Sequence, residues 1–61
     1  MKYQVGDILV KHKGTQRVLT IVKIHPTTDI VLYDHLNERE ETYIAADVQT
    51  WYFYKHYPVV K

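Results

Sequence analysis

The chain has 61 residues, with 8 Lys plus Arg, 7 Asp plus Glu, 4 His and no cysteine. That length holds one domain with a small core, and the missing thiols exclude a disulfide framework, cysteine zinc sites, Fe–S clusters and thiol nucleophiles. A formal net charge of +1 does not mark a polyanion binder.

Met1 to Asp7 contains no apolar run of signal-peptide length, and no apolar stretch further on is long enough to span a membrane. A cytoplasmic location without membrane attachment is therefore expected. The hydrophobic share of 46 % belongs to a folded chain rather than a disordered one.

Five short β-strands separated by turn residues are predicted in chain order. Val5-Gly6-Asp7 is a turn signal, and Ile8–Lys11 follows as the first strand. Lys13-Gly14-Thr15 makes a hairpin tip. Arg17–His25 is the richest β segment, with Val18, Thr20, Ile21, Val22 and Ile24 all β-branched. Both of its faces are partly apolar, as in the central strand of a small barrel. After Pro26-Thr27-Thr28-Asp29 come a third strand, Ile30–Leu36, and a polar fourth strand, Glu40–Ile44, expected near a sheet edge. Ala45–Val48 lacks β preference and reads as one helical turn; a helix from Ala45 to Tyr54 is the rival reading. Trp51–His56 is predicted as the fifth strand, with Tyr57-Pro58 closing the fold. The expected core is Val5, Ile8, Val10, Val18, Val22, Ile24, Leu32, Ile44, Val48, Trp51 and Phe53.

The fold class that follows is all-β: one domain, residues 1–61, built as a small five-stranded barrel with a helical turn before the last strand. Val5, Gly6, Asp7, Ile8 and Val10, then Val18 to Ile24, then Asp47-Val48 leading into Trp51-Tyr52, resemble in pattern the SH3-like barrels. They are similar to KOW-type modules and to small proteins of bacteriophages and prophages. The resemblance implies a non-enzymatic accessory protein that binds and modulates a host protein, in the host cytoplasm. The basic loops typical of ribosomal KOW proteins are missing.

For catalysis, the chain has no serine, two isolated glycines, and no threonine beside an evident base in sequence. Glu38, Glu40 and Glu41 read as solvated charge on a turn and an edge strand. No enzyme activity, cofactor or metal site is expected; His12, His25, His35 and His56 lack chelating spacing. The aromatic share, 13 %, is concentrated in Trp51-Tyr52-Phe53-Tyr54. Tyr52, Tyr54, His56 and Tyr57 are the candidate partner-binding surface, because tyrosine brings large contact area at low entropic cost. A protein partner is the first reading, with a homodimer as one form of it. A nucleic-acid-binding barrel is the alternative, using Lys11, Lys13 and Arg17 at the hairpin tip beside the aromatic strand. A nucleotide-sequestering small oligomer is a third. Pro58 to Lys61 is a candidate to run extended and pair with an edge strand, within the monomer or across a dimer.

Overall fold

A computed structural model describes residues 3–26 and 29–60. The elements are β1 (Ile8–Lys11), β2 (Arg17–Ile24), β3 (Asp29–Asp34), β4 (Arg39–Ile44), α1 (Ala45–Gln49) and β5 (Tyr54–Tyr57). All five strands join one antiparallel sheet in the order β4-β3-β2-β1-β5. The order follows from short connections: β1 to β4 meander, and β5 returns to pair with β1, setting Leu9 opposite His56 and Lys11 opposite Tyr54. Among the described residues no ladder joins the two edges, β4 and β5. The sheet is open rather than a closed barrel.

The first four strands and the helical turn fall within a residue or two of expectation. The fifth does not. Trp51 to Phe53 lie in a turn, and β5 begins only at Tyr54. The β-favouring run from Trp51 loses to tertiary packing, because the Trp51 indole turns inward under the sheet. The rival helix through Tyr54 is also absent, since α1 stops at Gln49. Thr27, Thr28, Met1, Lys2 and Lys61 lie outside the described residues.

The inner face carries Leu9, Leu19, Ile21, Ile30 and Leu32, closed over by Tyr3, Ala45 and Val48, with Ile24, Tyr43, Trp51 and Tyr54 packed against them. The expected core therefore took the wrong face of β1 and most of β2. Leu32 and Val48 are buried, and Ile24 and Trp51 pack at the margin, as expected. Val5, Ile8, Val22 and Ile44 are exposed, and Val10, Val18 and Phe53 are half-buried. Both faces of β1 and β2 are apolar, so alternation alone does not choose between them, and on β2 a β-bulge adds to this. Ile21 pairs with Leu32 and Lys23 with Val31, so Val22 is an extra residue and the alternation slips by one. Ile21 and Ile24 then share the inner face, a pairing that strict alternation forbids.

Gly6 is required where the chain enters β1. Its φ is +100°, a conformation that strains any residue with a Cβ, and a Cβ there would stand a tight 3.1 Å from Val59 Cγ2, where the C-terminal segment passes the turn.

Inner-face identity makes a direct prediction. Leu19→Ala, which removes a fully buried side chain, is expected to cost about 2–5 kcal/mol. Val18→Ala on the opposite face is expected to cost under about 1.5 kcal/mol. Urea unfolding followed by far-UV circular dichroism separates them; equal costs would mean that the two faces are equally packed.

Candidate binding surface

Two buried carboxylates fix the ends of the sheet and decide which polar side chains remain for binding. Asp7 is 1 % exposed. Its Oδ1 accepts the Val59 N–H at 2.8 Å, and its Oδ2 accepts the Gln4 N–H at 3.0 Å and lies 2.7 Å from His56 Nε2. The Tyr3 ring meets the His56 ring edge-on, with centroids 4.9 Å apart. Burial raises the Asp7 pKa, but the bonds from Val59, His56 and Gln4 outweigh it, and the net direction is down.

The second carboxylate, Asp34, is fully buried at the end of β3. Its Oδ1 accepts the Leu36 and Asn37 N–H groups, and its Oδ2 accepts from Asn37 Nδ2 and from Arg17 at 3.1 Å. The Asn37 N–H is the largest influence drawing its pKa to about 2, against burial. Arg17 also reaches Glu41 Oε1 at 2.6 Å and the Tyr54 hydroxyl at 3.4 Å. Glu41 takes a further bond from the Tyr43 hydroxyl at 2.7 Å and an ion pair from Arg39 at 3.1 Å. Tyr43, then Arg17, hold the Glu41 carboxyl below its ordinary value.

These networks consume several of the residues singled out from the sequence. Arg17 faces two carboxylates and is not an open phosphate contact. Glu41 is not solvated charge; Glu40 points outward on β4 with Thr42 and Ile44, while Glu38 sits in the β3–β4 turn at φ +54°. Tyr54 and His56 do share a face, but it is the inner one, where both are half-buried. Tyr57 lies on the outer face beside Ile8 and is 46 % exposed. Tyr52 stands apart in the turn before β5, 80 % exposed. The four aromatic candidates are thus divided among three environments and do not form one row. The C-terminal segment folds back within the chain through Val59 rather than extending an edge.

The outer face of the sheet is left without a covering element among the described residues. Ladder register places Ile8 between Thr20 and Tyr57, Val10 between Val18 and Lys55, Thr20 beside Tyr33, and Val31 beside Thr42 and Lys23. Glu40 stands opposite Tyr33. At one end, Gln16, Val18, His35 and Leu36 line a shallow depression of about 290 Å³. A solvated antiparallel face normally alternates to polar residues; here aliphatic and aromatic side chains surround Thr20 on the central strand.

No protein-family model, curated protein or solved structure matches the chain.

One contact on this face was not legible in sequence. Thr20 Oγ1 lies 2.6 Å from His35 Nε2, and the His35 ring packs edge-on against Tyr33 at 5.0 Å. A threonine does stand beside a base, contrary to expectation. The pair is on an open sheet face, and among the described residues no carboxylate bonds to the His35 ring. It satisfies two polar groups in an apolar setting. Among the described residues no group of three or more His, Asp or Glu is placed to hold a metal ion, and no helix is long and apolar enough to cross a membrane.

A pH dependence follows from the carboxylates. A carboxyl more acidic in the folded than in the unfolded chain contributes stability above its unfolded pKa and loses it as pH falls through the folded one. Asp7, Asp34 and Glu41 all shift down. The melting temperature is therefore expected to hold from pH 7 to about 5 and to fall steeply between about pH 4 and 2. Asp34→Asn is expected to flatten part of that fall. A wild-type melting temperature unchanged down to pH 2 would contradict it.

Proposed function

We propose that this chain is a non-enzymatic binding module that docks a protein partner on the outer face of its sheet. The observation that carries the proposal is the apolar content of a face that ought to be polar: Ile8, Val10, Val18, Val31, Tyr33 and Tyr57 around Thr20, with Lys23, Lys55, Asp29 and Glu40 at the periphery. Lys55 lies 5.3 Å from the Tyr57 ring centroid, so its stem covers apolar surface while its charge faces water. Lys23 and Lys55 stand against Asp29 and Glu40, so the rim is balanced and the apolar side chains, not net charge, select the partner. Five strands spaced about 4.8 Å apart offer a face of roughly 400 Å², below the about 800 Å² per partner of a standard stable complex. The complex is accordingly a transient one.

The strand order, with one helical turn before the last strand, is similar to that of SH3-like and KOW-like barrels, and we place the chain with them as an open roll. The pattern resemblance to phage and prophage proteins supports a host protein as the partner and the host cytoplasm as the location.

Ile8→Asp puts a charge at the centre of the proposed contact, on a side chain already 37 % exposed. It is expected to keep the circular dichroism spectrum of the fold while lowering the melting temperature by roughly 4–8 °C, because Asp is a poor strand former. It should weaken retention of the partner from a nuclease-treated bacterial lysate at least about tenfold, a 1.4 kcal/mol effect. Tyr52→Ala should retain the same protein at the wild-type level. A wild-type chain that retains nothing, or an Ile8→Asp chain that retains the same protein equally, overturns the proposal.

A further inference from the structure

A second site lies away from the outer face, at the turn before β5. The rings of Tyr43, Trp51, Tyr54, Phe53 and Tyr52 form a continuous chain, with successive centroids 5.0, 4.7, 5.7 and 4.9 Å apart. Its inner end is packed against the core, and its outer end is Tyr52, 80 % exposed. Tyr52 meets Phe53 at 80°, so Phe53 buttresses the tyrosine while leaving ring surface open to solvent. An aromatic ring held out on a rigid support has already met the ordering cost of a stacking platform.

The charge beside this platform is positive. The His12 N–H donates to the Phe53 carbonyl at 2.9 Å, which ties the turn to the β1–β2 hairpin tip. Lys11 Nζ sits 5.6 Å from the Phe53 ring centroid, and exposed Lys13 follows at the tip. Neither lysine has a carboxylate partner among the described residues. Arg17, the third basic residue of this hairpin, is held by Asp34 and Glu41 and contributes no free charge here.

We propose that Tyr52, supported by Phe53, stacks an unpaired base of a single-stranded nucleic acid, and that Lys11 and Lys13 bind the adjoining phosphates. Stacking on an aromatic face tolerates any base, and two free ammonium groups supply a small, salt-sensitive electrostatic contribution. The site is sequence-tolerant and short, about two phosphates long. It does not depend on the docking face.

The test is fluorescence anisotropy of a labelled twelve-nucleotide oligodeoxythymidylate titrated with the full chain. Binding is expected at roughly 10⁻⁴ M in low salt, with log K falling against log salt at a slope of about −1.4. Tyr52→Ala should weaken it at least about fivefold, and Tyr52→Phe should restore it, which separates the ring from the hydroxyl and from the fold. Lys13→Gln should reduce the slope by about 0.7. Ile8→Asp should change nothing, so the two sites fail separately. No anisotropy change, a flat salt response, or an unaffected Tyr52→Ala chain overturns the proposal. So does displacement by free thymidine 5′-monophosphate at the oligonucleotide's own concentration, which would make this a mononucleotide site instead.

Discussion

The open side of the sheet is held together by side chains instead of main-chain ladders, and most of the molecule is arranged around that fact. β4 and β5 share no hydrogen-bonded register, yet Trp51 lies between Tyr43 of one and Tyr54 of the other, 5.0 and 4.7 Å from their ring centres. Above this wedge, Arg17 reaches from β2 to Asp34, Glu41 and the Tyr54 hydroxyl. Edge strands left unpaired invite association with other chains. Here β4 carries Arg39, Glu40 and Glu41, and β5 is only four residues long. The wedge also explains the turn at Trp51 to Phe53. An indole pulled under the sheet cannot remain in a strand that pairs with β1, so the chain makes a turn and ejects Tyr52.

A domain this small usually requires a cross-link. With no cysteine and, among the described residues, no group of metal ligands, the buried carboxylates take that part. Asp7 joins Gln4, His56 and Val59, and thereby both ends of the described chain. Asp34 joins the β3–β4 turn to β2. Burying a carboxylate is costly unless its oxygens are satisfied, and both residues have donors on each oxygen. Among the described residues no buried side-chain polar atom lacks a partner. Such contacts act through direction as much as energy. They admit one register of the termini and one conformation of the turn.

How much of this was legible in the sequence depended on the kind of signal. Strand positions were, because β-branched runs alternate with Gly, Pro and Asn punctuation, and the helical turn was, because Ala45-Ala46-Asp47 has no reason to extend. The choice of face was not. Val18 and Leu19, or Ile8 and Leu9, are equally apolar neighbours, and alternation assigns a core only when one face is polar. The bulge at Val22 compounded the error, since no residue at that point announces an extra position. Asp7 read as a turn former and Asp34 did not stand out, because a carboxylate's burial depends on donors from distant segments. The division of Tyr52, Tyr54, His56 and Tyr57 could not be read either. It follows from where the strand starts, and that is set by Trp51.

The same ambiguity is informative once the structure is known. A sequence whose two faces cannot be told apart by hydrophobicity describes a sheet with two apolar faces, and 61 residues supply cover for one. The charges divide in a similar way. Asp34 and Glu41 are paired with Arg17, and Glu41 also with Arg39, while Lys11 and Lys13 in the neighbouring hairpin have no carboxylate partner among the described residues. A net charge of +1 averages over this pairing and hides it. What approaches the hairpin tip meets two lysines whose charge no ion pair takes up. The balanced total that argues against a polyanion binder therefore does not weigh against a short basic site beside an exposed ring.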